Sequence, residues 1–159
     1  MTENILYPWK QETIIRHTQR LLFSYKYWTG KSLLEIDGTP EAIAQALWEA
    51  PFIVVSHGME ENPILNYGNQ QALDLWEMSW EQFTHTPSRE TAQPIERKDR
   101  ELLLTQAKTQ GYISDYRGVR ISSKGKQFWI SNAMIWNILD EKQQQCGQAA
   151  TFKEWEYIQ

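Results

Sequence analysis

The chain has 159 residues, a length that suits one domain burying roughly two-thirds of the surface its unfolded form exposes. Its formal charge of −4 and lack of any lysine or arginine cluster exclude a nucleic-acid footprint and an anionic-membrane footprint, and a single cysteine, Cys146, excludes an internal disulfide and a CxxC metal pair. Aromatic residues make up 13% of the chain, with 8 Trp, so flat ring surface must line a core, an interface or a pocket.

The first residues, MTENILYPWK, lack the basic head and apolar run of a secretory signal, and apolar runs such as Phe52 to Val55 are too short to span a bilayer. The expectation is a cytoplasmic protein. Gln11 to Trp28 reads as a long helix, with Ile14, Leu21, Tyr25 and Trp28 on one stripe, Ile15 and Leu22 widening it, and Gly30 stopping it. That face either covers the back of a sheet or pairs with a second copy of itself, and covering the sheet is the favoured expectation. Thr39 as N-cap and Pro40 at the first helical position open a second helix carrying Ile43, Leu47 and Trp48. Phe52 to Val55 is apolar on both faces and suits a central strand. A turn-rich link leads to a second strand, Ile64 to Tyr67. Asn69 then caps a helix bearing Ala72, Leu73 and Trp76. Ser79, with Gln82 at the third helical position and a Met78/Phe83 staple, opens another at Trp80. Ile95 to Gln110 reads as a charged surface helix burying Ile95, Leu102, Leu103 and Ala107, with a Glu96–Arg100 pair and Gly111 as its stop. Three long strands follow as an antiparallel meander: Tyr112 to Ile121, Gln127 to Leu139, and Cys146 to about Tyr157. Simple alternation puts Phe128, Ile130, Met134, Trp136 and Ile138 on one side of the middle strand, and Trp129, Ala133, Ile135 and Leu139 on the other.

From the first strand on, this order resembles the PAS fold, a five-stranded antiparallel sheet with helices across its inner face. The motifs PFIVVSHG at 51–58, PILNYGNQQALDLWE with PSRETA through 92, GYISDYRGVRISSKGKQFWI at 111–130, and WNILDE with GQAATF through 152 resemble the MEKHLA domain family. The preceding TQRLLFSYKYWTGKSLL is similar to the leader of free-standing bacterial members. The expected fold class is α+β: a PAS-like sheet with helices across one face and the N-terminal helix over the other. The expected organisation is a helical extension at 1–50 packed on a PAS-like domain at 51–159. In plants the family sits at the C-terminus of homeodomain–leucine-zipper regulators as a PAS-like regulatory and interaction region. These 159 residues carry neither a homeodomain nor a zipper, so a role in transcription does not follow from the resemblance. What it implies is sensing or binding.

The most enzyme-like cluster is Ser56-His57 with Glu60 and Glu61, which has the residue types of a nucleophile, base and orienting acid but no G-x-S-x-G elbow. His57, Glu61 and His85 lack the spacing of a zinc site. PAS relatives with flavin photochemistry use a cysteine on the helices, and haem relatives use a histidine on the helix before the last three strands. Cys146 lies at the start of the last strand and Ile95 to Gln110 holds no histidine, so the cofactor stays open. Arg89 and Arg120 can each hold a carboxylate or phosphate bidentately, or form salt bridges with Asp115 or Glu90. Asn66, Tyr67 and Asn69 suit a turn and cap as well as a ligand contact. The candidate ligand-binding set is Asn66, Tyr67, Trp76, Trp80, Phe83, Arg89, Arg120 and Trp129, with no catalytic or metal residue. Three classes follow: a PAS-like sensory module binding a small molecule non-covalently; an interaction or dimerisation module with a filled core; and, as a minor alternative, a small cone-fold enzyme.

Overall fold

The computed structural model describes residues 7–92 and 97–159. Helix α1 (Glu12–Thr29) ends at Gly30, whose left-handed φ of 75° lets its amide return to Lys26 O at 2.8 Å. The Thr39 hydroxyl accepts from the Ala42 amide at 3.1 Å and opens α2 (Pro40–Trp48). Strands β1 (Ile53–His57) and β2 (Leu65–Gly68) form an antiparallel pair. Asn69 then caps α3 (Gln70–Trp76) and does more than cap. Its Oδ1 accepts from Ala72 and Val54 amides, while its Nδ2 donates to Leu47 O and Phe52 O. A fully buried amide with every bond used is a tether between α2, β1 and α3. Ser79 accepts from the Gln82 amide at 3.1 Å and opens the one-turn α4 (Trp80–Phe83).

A short 3-10 turn, Ser88–Thr91, precedes α5 (Arg97–Gln110). Then come β3 (Tyr112–Ile121), β4 (Gln127–Leu139), β5 (Gln145–Phe152) and β6 (Glu154–Tyr157). The sheet is antiparallel in the order β2-β1-β5-β4-β3, with β6 paired to β4, so β1 is internal as its two-faced apolarity required. The α+β architecture with helices on both sides is present as expected. Helix α1 covers one face: Tyr25 meets Trp136 edge-on at 5.1 Å, Trp28 Nε1 donates to Asn137 O at 2.8 Å, and the Leu139 amide donates to Ser24 Oγ at 2.7 Å. We call this the outer face. No described helix is long and apolar enough to cross a membrane.

Two bulges change the facing pattern that alternation suggests. Asp115 and Asn132 take left-handed backbone, φ 56° and 53°, one on each side of the Tyr116–Ala133 pair in the β3–β4 ladder. The extra residue at Asn132 shifts the phase of β4. Phe128 and Ile130 therefore share the inner face with Ala133 and Ile135, while Trp136 and Ile138 turn to α1; grouping Phe128 and Ile130 with Trp136 is corrected. The final strand also divides. β5 pairs with β1 and the second half of β4, the ladder breaks at Lys153, and β6 follows the bent first half of β4, where Asn132 Nδ2 donates to Glu154 Oε2 at 2.8 Å. On α5, Ala107 is buried and Leu103 partly so, but Leu102 is 59% exposed, against expectation. Ile95 and the Glu96–Arg100 pair lie outside the described residues.

Candidate functional site

The inner face and the short helices enclose a cavity of about 140 Å³. Trp76 and Phe83, with Ser88 and Thr91 of the 3-10 turn, form its roof. Its floor is the sheet: Val55 and His57 from β1, Gln148, Ala150 and Phe152 from β5, Ile130, Ala133 and Ile135 from β4, Tyr116 and Arg120 from β3. The space exists because the floor is low at its middle. Ala150 pairs with Ile135, and Ala133 with Tyr116, so small side chains sit where the flanking rings cannot collapse. Trp76 is 2% exposed and meets Phe83, Phe128 and Phe152 edge-on at 6.2, 5.5 and 6.1 Å, its Nε1 donating to Thr91 O. That cluster fixes the roof.

The polar groups are few. Arg120 is partly buried, donates one Nη1 bond to Val119 O at 3.0 Å, and places its Cζ 5.5 Å from the Tyr116 ring centroid. Among the described residues no carboxylate pairs with it; the ion pairs there are Arg20–Glu141 and Lys126–Glu77. The His57 ring bonds Gly58 O through Nδ1, leaving Nε2. Gln148 Nε2 donates to Asn137 Oδ1 at 3.3 Å. Asn137 in turn donates its Nδ2 to Ala107 O, and its amide to Gly111 O.

Of the candidate residues, Trp76, Phe83 and Arg120 meet at this cavity. The others stand elsewhere. Tyr67 is fully buried on the outer side near His17 and Trp48, and its hydroxyl has no hydrogen-bond partner among the described residues; burial raises its pKa. Asn66 accepts from Ser56 Oγ beside it. Trp80 packs against Trp48 and Tyr67 at the β2 edge, Arg89 is exposed, and Trp129 lies under the Arg117 guanidinium at 4.0 Å, opposite Val119 on the outer face. Ser56 and His57 alternate across the strand and do not meet. Ser56 instead bonds His17 Nε2 at 2.8 Å beneath α1, where burial first, and the Arg20 charge second, lower the His17 pKa to about 4. Cys146 lies on that side too, close to Arg20, and does not line the cavity. Among the described residues no cluster of three or more His, Cys, Asp or Glu could hold a metal ion.

Sequence reasoning missed Tyr116, Gln148, Ala133 and Ala150. The signal available was the small run in GQAATF, together with Ala133, in a sheet otherwise rich in rings.

The topology and enclosed inner face define a PAS-like domain, and solved structures agree. A PAS domain from Colwellia psychrerythraea superposes with a TM-score of 0.60 at 18% identity, covering 74% of this chain and 95% of that one. The PAS domain of the fruit-fly ELK potassium channel gives 0.54 at 14% identity over 77% of this chain and 98% of that one. An RNA-binding light-oxygen-voltage receptor gives 0.61 at 13% identity, covering 76% of this chain and 36% of that one. The chain belongs to the MEKHLA domain family, whose model matches residues 15–157 and so takes in most of α1. Among curated proteins it is similar to homeobox-leucine zipper protein HOX9 of Oryza sativa, 24% identical over 136 residues, and to ATHB-9 of Arabidopsis thaliana, 22% identical over 151. Those matches cover 85% and 92% of this chain but only 16% and 18% of the plant proteins.

Proposed function

We propose that the chain is a PAS-like sensory module that seats a small organic molecule non-covalently in the inner cavity and signals through protein contacts. The observation that carries this is the cavity itself, a void of about 140 Å³ on one face of a sheet whose other face is closed. An apolar void of about 150 Å³ accepts benzene in an engineered protein, while drug-sized pockets run from roughly 300 Å³ upward. The part of the ligand seated within this space is therefore of single-ring size. Residues 1–50 act in this scheme as an extension packed on the 51–159 core. Native mass spectrometry of the full chain, before and after incubation with single-ring fragments, tests it. A retained or added non-covalent mass that raises the melting temperature is the expected result, and a protein that takes up none of them overturns it.

A second reading, an interaction or dimerisation module, draws on a different observation. Phe23 and Tyr27 stack at 5.9 Å on the open side of α1 and are 50% and 52% exposed. A concentration-independent monomer in sedimentation that persists in the presence of fragments counts against self-association.

A further inference from the structure

We propose that the cavity is a carboxylate site: it takes a small planar organic acid whose carboxylate meets Arg120 and whose ring lies over Ala133 and Ala150. This rests on the sensory-cavity reading and narrows its ligand to a chemical class.

Arg120 stands on the inner face, opposite Phe128 in the β3–β4 ladder. A guanidinium has five N–H donors and keeps its charge at any physiological pH. One donor goes to Val119 O, and no described carboxylate is within ion-pair distance to take the rest. The described lining of the cavity carries no acidic side chain, so among the described residues the cation has no counter-charge there. A planar carboxylate matches the guanidinium fork bidentately. Phosphate fits less well. The remaining described wall runs from Ile130 and Ile135 to Phe152 and offers Ser88, Thr91, His57 and Gln148 as polar groups but no second guanidinium or ammonium, so a dianion lacks the second fixed cation that would match it, whereas a monoanion is matched by the single cation. Size points the same way, since about 140 Å³ holds one ring and its carboxylate but no nucleotide.

The test is calorimetric titration of the full-length protein at pH 7 with benzoate and with benzamide, its neutral counterpart of equal size. Benzoate is expected to bind about tenfold or more tightly than benzamide. Arg120→Gln should abolish that preference and Arg120→Lys should restore part of it, and Ala133→Leu, by filling the floor, should weaken both probes; melting curves establish that each variant is folded. Equal binding of the two probes to the wild type, or a preference that survives Arg120→Gln, overturns the acid class while leaving the cavity reading standing. Unchanged binding to Ala133→Leu overturns the location. If neither probe binds, the acid class falls, and the uptake of other single-ring fragments in native mass spectrometry decides the cavity reading separately.

Discussion

Beneath α1 the sheet presents Trp136, Ile138 and Ala149, none more than 2% exposed, and one strand-step away Ala133, just as buried, and the half-buried Ala150 floor an open space of about 140 Å³. Both faces are apolar, and both are roofed by helices rich in aromatics. The difference lies in what fills the space above the small residues. On the outer face Ala149 lies opposite Trp136 in the β4–β5 ladder, and Tyr25 of α1 packs edge-on against that indole. On the inner face Trp76 is already committed to three phenylalanine rings and cannot descend into the gap. Burial alone does not separate a structural face from a binding face; the match of side-chain volume across the layer does.

The hardest test of the closed face is Trp136→Ala. A fully buried indole packed edge-on against Tyr25 should cost about 3–5 kcal/mol on removal, read by denaturant unfolding, and a loss below about 1 kcal/mol would mean that α1 is not seated as described. Next in size is an acid effect at the same seam. With the native His17 pKa near 4, the unfolded chain takes up a proton around pH 6.5 that the folded chain refuses. Stability is therefore full above pH 6.5 and should fall by about 2 kcal/mol by pH 5, before carboxylates contribute much. His17→Gln should flatten melting temperature across that window, and an unaltered slope would assign the effect to other groups. Adjacent alanines then sharpen the contrast. Ala149→Val should destabilise by about 1–3 kcal/mol through overpacking, while Ala150→Val, facing the void, should change stability by less than about 0.5 kcal/mol; equal costs would erase the distinction between the faces. The smallest effect is a gain. Removing the unpartnered Tyr67 hydroxyl with Tyr67→Phe should stabilise the fold by about 1 kcal/mol, and a loss would reveal a partner for that oxygen.

Much of the fold was legible in local chemistry. Thr39, Asn69 and Ser79 act as caps because a short side-chain oxygen beside an apolar helical stripe has few other uses, and Gly30 stops α1 because the left-handed turn admits it readily. The meander of β3, β4 and β5 and the internal place of β1 were legible, but the β1–β5 pairing that joins the two halves of the sheet was not. The facing of β4 was not legible, because one inserted residue at Asn132 inverts every later position, and alternation has no means of registering it. The site was legible only in part. Trp76, Phe83 and Arg120 come from motifs whose residue types stand out, but Ala133 and Ala150 matter by what they lack. Tyr67 and Trp80 read as pocket walls from their place beside α3 and α4, yet Tyr67 follows Ser56 to the outer face and Trp80 wraps the β2 edge.

Asn137 has a mechanical consequence. Its carbonyl takes the Trp28 indole of α1, its amide and side chain hold Gly111 and Ala107 at the end of α5, and its Oδ1 receives Gln148 from the cavity floor. A Cβ at Gly111 would overlap the Trp28 ring, so the two helix ends are in direct contact around this residue. Three bodies on two sides of the sheet thus share one pin. A rotation or slide of any one of them must stretch a bond to Asn137, and the helix with the exposed Phe23 and Tyr27 stands two hydrogen bonds from the cavity floor.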